Sequence, residues 1–253
     1  MRISGSVALV TGASSGIGYQ SALRLAAAGA RVLVHGRAGG PLAELAQRTG
    51  GTAIVADLAE PDGASRLAQA ALDAADRVDI LVNNAGQGWA GQFSTMDTAG
   101  ADRLIAVNLR APVALTRLLL PQMAQRGDGY LMFVTSIAGR MGVAGEAVYS
   151  ATKAGLDVFA ESLRLELTGT GVRVGVLVPG VVQTPFFDRR GAPYQRDRPR
   201  PIPAEVVAAA LVRAVATGQA ERFAPRWMRL PVAIRVAVPG LYRRLAARYG
   251  GGG

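Results

Sequence analysis

Val7-Ala8-Leu9-Val10-Thr11-Gly12-Ala13-Ser14-Ser15-Gly16-Ile17-Gly18 is the stretch whose reading decides the fold. Its first four residues form a short, unbroken apolar run, the pattern of a strand buried on both faces in a parallel sheet. Three glycines follow at the spacing G-x-x-x-G-x-G rather than G-x-G-x-x-G. From Gly18 the period turns helical through Ala22, Leu23, Leu25, Ala26 and Ala27 until Gly29. Glycines let a backbone turn tightly and approach a phosphate, and the helix N-terminus beyond them offers free N–H groups and a positive dipole. Placed between a strand and a helix at the start of a βαβ unit, this turn marks a dinucleotide site. Gly12, Ser14, Ser15, Gly16, Ile17 and Gly18 are its candidate contacts.

Working outward, apolar runs predict further strands at 31–34, 52–56, 78–82, 130–135 and 172–178, and a last short one at 222–224. Helical periods lie between them at 41–48, 64–75, 101–125, 148–167 and 204–216, the long 101–125 helix being bent at Pro112 and Pro121. This alternation predicts an α/β fold with right-handed crossovers. Residues 184–203, with five prolines, seven charges and no hydrophobic period, read as a long loop, and 250–253 as a disordered glycine tail.

The totals narrow the chemistry. At 253 residues, half of them hydrophobic, the chain fits one large domain. The absence of cysteine excludes disulfides, a thiolate nucleophile and thiolate metal sites. A single histidine, His35, excludes sites built on several histidines, and a Ser-His-Asp hydrolase unless His35 is its base. With neither a leader pattern nor an apolar run of spanning length, a soluble cytoplasmic protein is expected. The net charge of +10 is uneven: residues 1–182 carry 15 basic and 14 acidic side chains, and residues 183–253 carry 13 and 4. Such a basic end could meet nucleic acid, an anionic membrane or an acidic substrate, or be a solvated surface. No nucleic-acid recognition motif accompanies it.

Three more positions carry chemistry. After the second strand comes Val34-His35-Gly36-Arg37-Ala38, with no acid before Glu44. A site for NAD normally has an Asp or Glu there for the ribose 2′-hydroxyl, whereas Arg37 can pair a 2′-phosphate, so NADP(H) is expected over NAD(H). Ser136 ends a strand where the ligand crevice of an open α/β sheet lies, and its hydroxyl could bond a substrate oxygen as charge develops. Finally, of 28 basic residues 27 are arginine, and the one lysine, Lys153, stands four residues after Tyr149. On a helix these share a face. A fixed cation near a phenol lowers its pKa from about 10, and reaching roughly 7 would take about 4 kcal/mol. The spacing alone equally fits a packed ring beside a snorkelling chain.

Together these motifs resemble the short-chain dehydrogenase/reductase family over residues 7–225: Thr11-Gly12-x-x-x-Gly16-x-Gly18, Asp57, Asn83-Asn84-Ala85-Gly86, Asn108, Ser136, Tyr149-x-x-x-Lys153, and Pro179-Gly180 with Thr184. The resemblance implies a single Rossmann-like domain, a doubly wound parallel sheet of seven strands in order 3-2-1-4-5-6-7 with helices on both faces. It implies Tyr149 as general acid/base, Lys153 lowering its pKa and holding the nicotinamide ribose, Ser136 polarising the carbonyl, and Asn108 holding a relay water. Asp57 with Leu58 would contact the adenine, and Asn84, Ala85 and Gly86 would shape the cofactor site. Pro179, Gly180, Val182 and Thr184 would support the carboxamide end. It further implies a homodimer or homotetramer through the helices at 101–125 and 148–167. Many NADP(H)-using members carry a basic residue where this chain has Ser15, so the cofactor expectation rests on Arg37.

Hydride transfer between the nicotinamide and a carbonyl/hydroxyl carbon follows, with no metal. Val181, Phe186, Phe187, Met141, Val143, Trp89 and Phe93 could line an apolar pocket suited to a bulky ketone or alcohol such as a steroid, retinoid or acyl chain. A 3-oxoacyl-thioester on acyl carrier protein or coenzyme A is the alternative substrate, and a non-catalytic NADP(H)-sensing protein the alternative of another class. The basic, amphipathic extension at 226–253 could pack over the cleft or a neighbouring subunit, lie on an anionic membrane, or meet an acidic partner.

Overall fold

In the computed structural model, which describes residues 1–195, 198–240 and 242–244, strand β1 (Val7–Val10) is buried at every position. It leads into helix α1 (Gly16–Ala27) and β2 (Arg31–Gly36), then α2 (Gly39–Thr49), β3 (Thr52–Val55), α3 (Gly63–Ala75) and β4 (Ile80–Asn83). The second half runs through α4 (Thr98–Ile105), α5 (Ala111–Arg126), β5 (Gly129–Val134), α6 (Ile137–Met141), α7 (Ala147–Glu166) and β6 (Val172–Pro179). A short pair, β7 (Val182–Gln183) and β8 (Ile202–Pro203), brackets α8 (Phe186–Arg189). Then come α9 (Ala204–Thr217), β9 (Glu221–Ala224) and α10 (Arg229–Ala237).

Seven strands form one sheet in the order β3-β2-β1-β4-β5-β6-β9, every neighbouring pair parallel. This is the expected order, with the seventh strand ninth in the chain because the β7–β8 pair precedes it. Successive strand side chains point to opposite faces, and the two cores follow that alternation. Leu9, Leu33, Leu81 and Phe133 pack towards α3, α5 and α7 on one face. Ala8, Val10, Val34 and Met132 pack towards α1, α2 and α9 on the other. Helices on both sides explain why the strands read as continuous apolar runs. The order reverses between β1 and β4, and in an open α/β sheet a ligand crevice forms there, beyond the strands' C-terminal ends.

Two expectations change. The long helix does not simply bend at its prolines: residues Ala106–Arg110 form a π-helical turn joining α4 to α5, in which the Ala111 N–H reaches the Ala106 carbonyl. Pro112, in the first turn of α5, has no N–H to donate, so the regular ladder is broken just where the wide turn sits. The stretch Thr98–Arg126 is long and apolar enough to cross a membrane, but half of its apolar window is buried inside the fold. The second change is in the loop at 184–203, which contains α8 and β8. The tail at 250–253 lies outside the described residues, as do Leu241 and Leu245.

Candidate active site

Gly12 and Gly16 both adopt left-handed backbone, at φ 66° and 58°. A Cβ on Gly12 would stand 2.7 Å from the Ala85 Cα, and one on Gly18 only 2.3 Å from the Gly12 carbonyl oxygen. Thr11 and Asn84 hold this turn against the end of β4. The Thr11 hydroxyl donates to the Val82 carbonyl (3.1 Å) and accepts the N–H groups of Asn84 and Ala85, each at 2.9 Å. The Asn84 amide donates to the carbonyls of Thr11 (2.8 Å) and Gly12 (3.1 Å). Asn84 thus shapes the site by pinning the glycine turn. Ser15 occupies the N-cap of α1 without bonding its first turn, which also has no acid. The positive end of α1 is thereby left to an anion.

At the end of β5, the Ser136 hydroxyl accepts the Ala138 N–H at 3.1 Å, starting α6, and also hydrogen-bonds Tyr149. The Lys153 ammonium lies 5.9 Å from the Tyr149 ring centre and donates to the Val134 carbonyl at 2.9 Å. Helix α7 therefore carries phenol and ammonium into one place, as i and i+4 require. The expected depression of the phenol is overturned. Burial pushes Tyr149 up to about 12, with the Ser136 bond pulling the other way and Glu146 and Arg190 adding opposed charge effects. Burial also drives Lys153 down to about 8, offset in part by the Asp157 carboxylate one turn on. Desolvation disfavours the charged form of both groups and is the largest influence on each.

Asn108 sits fully buried in the π-turn. Its side chain accepts the Gln87 N–H (2.8 Å) and donates to the Gln87 carbonyl (2.9 Å) and Thr152 hydroxyl (3.2 Å). Its amide oxygen and the Lys153 ammonium would each lie 3.4 Å from a Cβ on Gly86, so glycine there keeps the space between them open. At the other end, the Asp57 carboxylate binds the Ala59 N–H (2.9 Å) and Arg103 (2.8 Å). Burial opposes its ionisation, but these bonds and the charges of Arg103 and Arg37 hold it below the usual range. His35 is buried, pushed down to about 4 by burial, with Nε2 at 3.1 Å from the Ala56 carbonyl. It anchors β2 beside β3 and is no hydrolase base.

All these elements border one cleft of about 1710 Å³. It is lined by Gly12, Ser14, Ser15, Gly16, Ile17, Arg37, Asp57, Leu58, Asn84, Ala85 and Gly86, and on the opposite wall by Ser136, Tyr149, Lys153, Pro179, Gly180, Val182 and Thr184. Gly18 and Asn108 are not among the lining residues: the first packs beneath the turn, the second behind Gln87. A left-handed glycine cradle that any Cβ would fill, beside an uncapped helix N-terminus, fits a dinucleotide phosphate.

The family model for short chain dehydrogenase matches residues 6–195. The chain belongs to the short-chain dehydrogenase/reductase family. With that it joins the NAD(P)-dependent oxidoreductases. It is 40% identical over 185 residues to ketoacyl reductase HetN of a Nostoc species, a match covering 71% of this chain and 64% of that relative's length. A Sphingobium yanoikuyae short-chain dehydrogenase in complex with NADPH superposes with a TM-score of 0.81 at 29% identity, covering 96% of this chain and 95% of that one. A Brucella melitensis 3-ketoacyl-(acyl-carrier-protein) reductase complexed with NADH does so at 0.80 and 28% identity, covering 87% and 97%.

Around this short-chain dehydrogenase core the structure adds contacts that sequence reasoning missed. Helix α8 lies against the Gly88 loop, where a Cβ would stand 2.6 Å from the Phe186 ring. The Phe186 ring packs 5.4 Å from that of Tyr149. Arg190 pairs with Glu146 and lies 4.6 Å over Phe187. Arg189 donates to the Ser15 hydroxyl at 3.2 Å, delivering a guanidinium to the glycine turn from 174 residues away. Of the expected pocket residues Val181, Phe186, Phe187, Met141, Val143 and Phe93 line the cleft, but Trp89 does not. It folds over Gly91, where a Cβ would lie 2.9 Å from its ring. From the C-terminal end, Trp227, Pro231, Ile234 and Tyr242 reach the cleft, and the Tyr242 hydroxyl donates to the Met141 carbonyl at 2.9 Å. Among the described residues of the extension, these four therefore reach over the cleft.

Proposed function

We propose that this protein is an NADP(H)-dependent carbonyl reductase acting on a bulky apolar ketone. The observation that carries the reading is the meeting of Ser136, Tyr149 and Lys153 in one cleft with the glycine cradle. When bound, the nicotinamide supplies the hydride. Tyr149 gives its proton to the substrate oxygen, while the Ser136 hydroxyl orients that oxygen and favours its developing charge. Lys153 steadies the ribose side of the cleft, and Asn108 holds Gln87 and, with it, the loop behind a proton path. A phenol pushed up to about 12 is protonated at neutral pH. In that state it can give the proton to a carbonyl oxygen.

Two guanidiniums favour NADP(H). Arg37 follows β2 in the cleft, and the nearby Asp57 carboxylate is tied to Arg103. Arg189 reaches Ser15, the position at which this chain otherwise departs from the basic pattern. The aromatic series Tyr149–Phe186–Phe187–Tyr194, with ring centres 5.3 to 5.6 Å apart, favours an apolar substrate. The names of the relatives favour a second reading, a 3-oxoacyl thioester, whose acyl chain the same wall would suit. Exposed Ile105, Leu118, Val158 and Leu165 on α4, α5 and α7 support assembly as a homodimer or homotetramer.

The test is a panel of steroid, retinoid and long-chain ketones beside 3-oxoacyl thioesters, followed by loss of reduced-nicotinamide absorbance. Turnover of apolar ketones is expected, and a panel answered by thioesters alone would transfer the assignment to the second reading. Cofactor titrations separate the arginines. Arg37→Glu should weaken NADPH binding at least tenfold more than NADH, and Arg189→Ala should weaken NADPH by about tenfold, on the order of one charge-assisted bond. An unchanged preference in both variants would refute the NADP(H) assignment.

A further inference from the structure

The described residues expose twelve large hydrophobic side chains, and five of them fall within residues 227–238: Trp227 at 56%, Leu230 at 65%, Ile234 at 37%, Val236 at 78% and Val238 at 49%. An apolar patch of this density on a protein surface marks a binding face. Its surroundings fix the sign of what covers it. From Arg222 to the end of the chain there are seven arginines and no Asp or Glu. Arg226, Arg229, Arg235, Arg243 and Arg244 are all exposed. A second copy of the chain laid on the same face would bring arginine against arginine, since a two-fold contact presents one patch to itself. An acidic protein would answer the charge but not five protruding apolar groups. A bilayer with anionic headgroups answers both, with the arginines at the phosphates and Trp227, Leu230 and Val236 below them.

We infer that the face built by Trp227 and α10, interspersed with arginine, docks on an anionic membrane surface. The position of the cleft gives docking a purpose. Trp227 and Ile234 belong to the exposed face and also to the wall of the cleft. The Arg235 guanidinium bonds the Arg140 carbonyl at the end of α6, tying α10 to the segment that starts from Ser136. A docked molecule would hold its cleft mouth against the lipid, and an apolar substrate could pass between bilayer and site without crossing water. Docking itself does not depend on which ketone is reduced.

The experiment is co-sedimentation of the full chain with vesicles of phosphatidylcholine alone and of phosphatidylcholine with phosphatidylglycerol, at low and high salt. Two variants avoid every cleft-lining residue: Leu230→Asp/Val236→Asp removes the apolar part, and Arg226→Glu/Arg229→Glu reverses the charge. Wild-type protein should pellet with the phosphatidylglycerol vesicles and be released by salt. Each variant should lose about tenfold or more of its partition while keeping wild-type turnover of a water-soluble ketone. Equal pelleting of wild type and variants, or none by wild type, would overturn the inference. So would sedimentation-velocity data showing instead that Leu230→Asp/Val236→Asp dissolves an oligomer. Retained turnover in the variants shows that the fold is intact, and absent turnover in wild type would count against the proposed reaction rather than against docking.

Discussion

Lys153→Met should make the protein more stable near neutral pH while abolishing its activity. Burial takes the ammonium from 10.5 to about 8, which corresponds to about 3 kcal/mol of unfavourable burial for the charged form at 1.36 kcal/mol per tenfold. Methionine fills similar space without the charge but gives up the 2.9 Å bond to the Val134 carbonyl, a loss of about 1 kcal/mol. The net expectation is about 2 kcal/mol in favour of the variant at pH about 7. The pH dependence supplies a sharper signature. Because the folded pKa lies below the unfolded one, the unfolded chain binds more protons between about 8 and 10.5. Wild-type stability should therefore rise across that window, and be lost again as pH falls back through about 8. The variant should show no such rise. Tyr149 acts in the opposite sense, since its phenol stays protonated up to about 12 in the fold, so the comparison belongs below pH about 10. Urea unfolding followed by tryptophan fluorescence at half-unit pH intervals measures both quantities. Wild-type and variant curves that run parallel from neutrality to pH about 10 would refute the claim that burial governs this lysine.

Tyr149→Phe should keep the fold and cofactor affinity but lower turnover by about 10²- to 10⁴-fold, the span of general acid catalysis; single-turnover absorbance with a cofactor titration checks it, and near-normal turnover would remove Tyr149 from the proposed role. Gly18→Ala should abolish cofactor binding and lower stability by about 1–3 kcal/mol, because its Cβ would stand 2.3 Å from the Gly12 carbonyl. An unaltered cofactor titration would show that the turn has room to move.

How much of this was legible depended on the range of the interaction concerned. The sheet was readable because its strands are covered on both faces, so each one appears as a bounded apolar run such as Val7–Val10 or Val172–Pro179. The glycine turn was readable because its requirements are local backbone ones. The π-turn was not, since Pro112 announces a disturbance without saying what form it takes. Nor was α8, whose four residues are too few to show a period. The Arg189–Ser15 contact joins positions 174 apart through that same segment, and nothing at either position announces it. For Tyr149 and Lys153 the spacing gave the neighbourhood but not the burial that pushes the phenol up and the ammonium down. Spacing reports distance, whereas the direction of both shifts is set by how much water the surrounding fold removes.

That distinction bears on why the chain's one lysine stands where it does. An arginine at 153 would keep its proton at any working pH, so burying it would impose a fixed desolvation cost with nothing to relax it. Its planar fork would also need several acceptors, whereas among the described residues the Val134 carbonyl is the acceptor presented to Lys153. An ammonium needs one good partner, turns its remaining donors where a ligand requires them, and here has a pKa of about 8. Elsewhere the sequence uses arginine: paired with Asp57, Glu146 and Asp157 in the fold, and exposed along α10. Of 28 basic side chains the one ammonium therefore stands where a compact donor must be buried beside Tyr149.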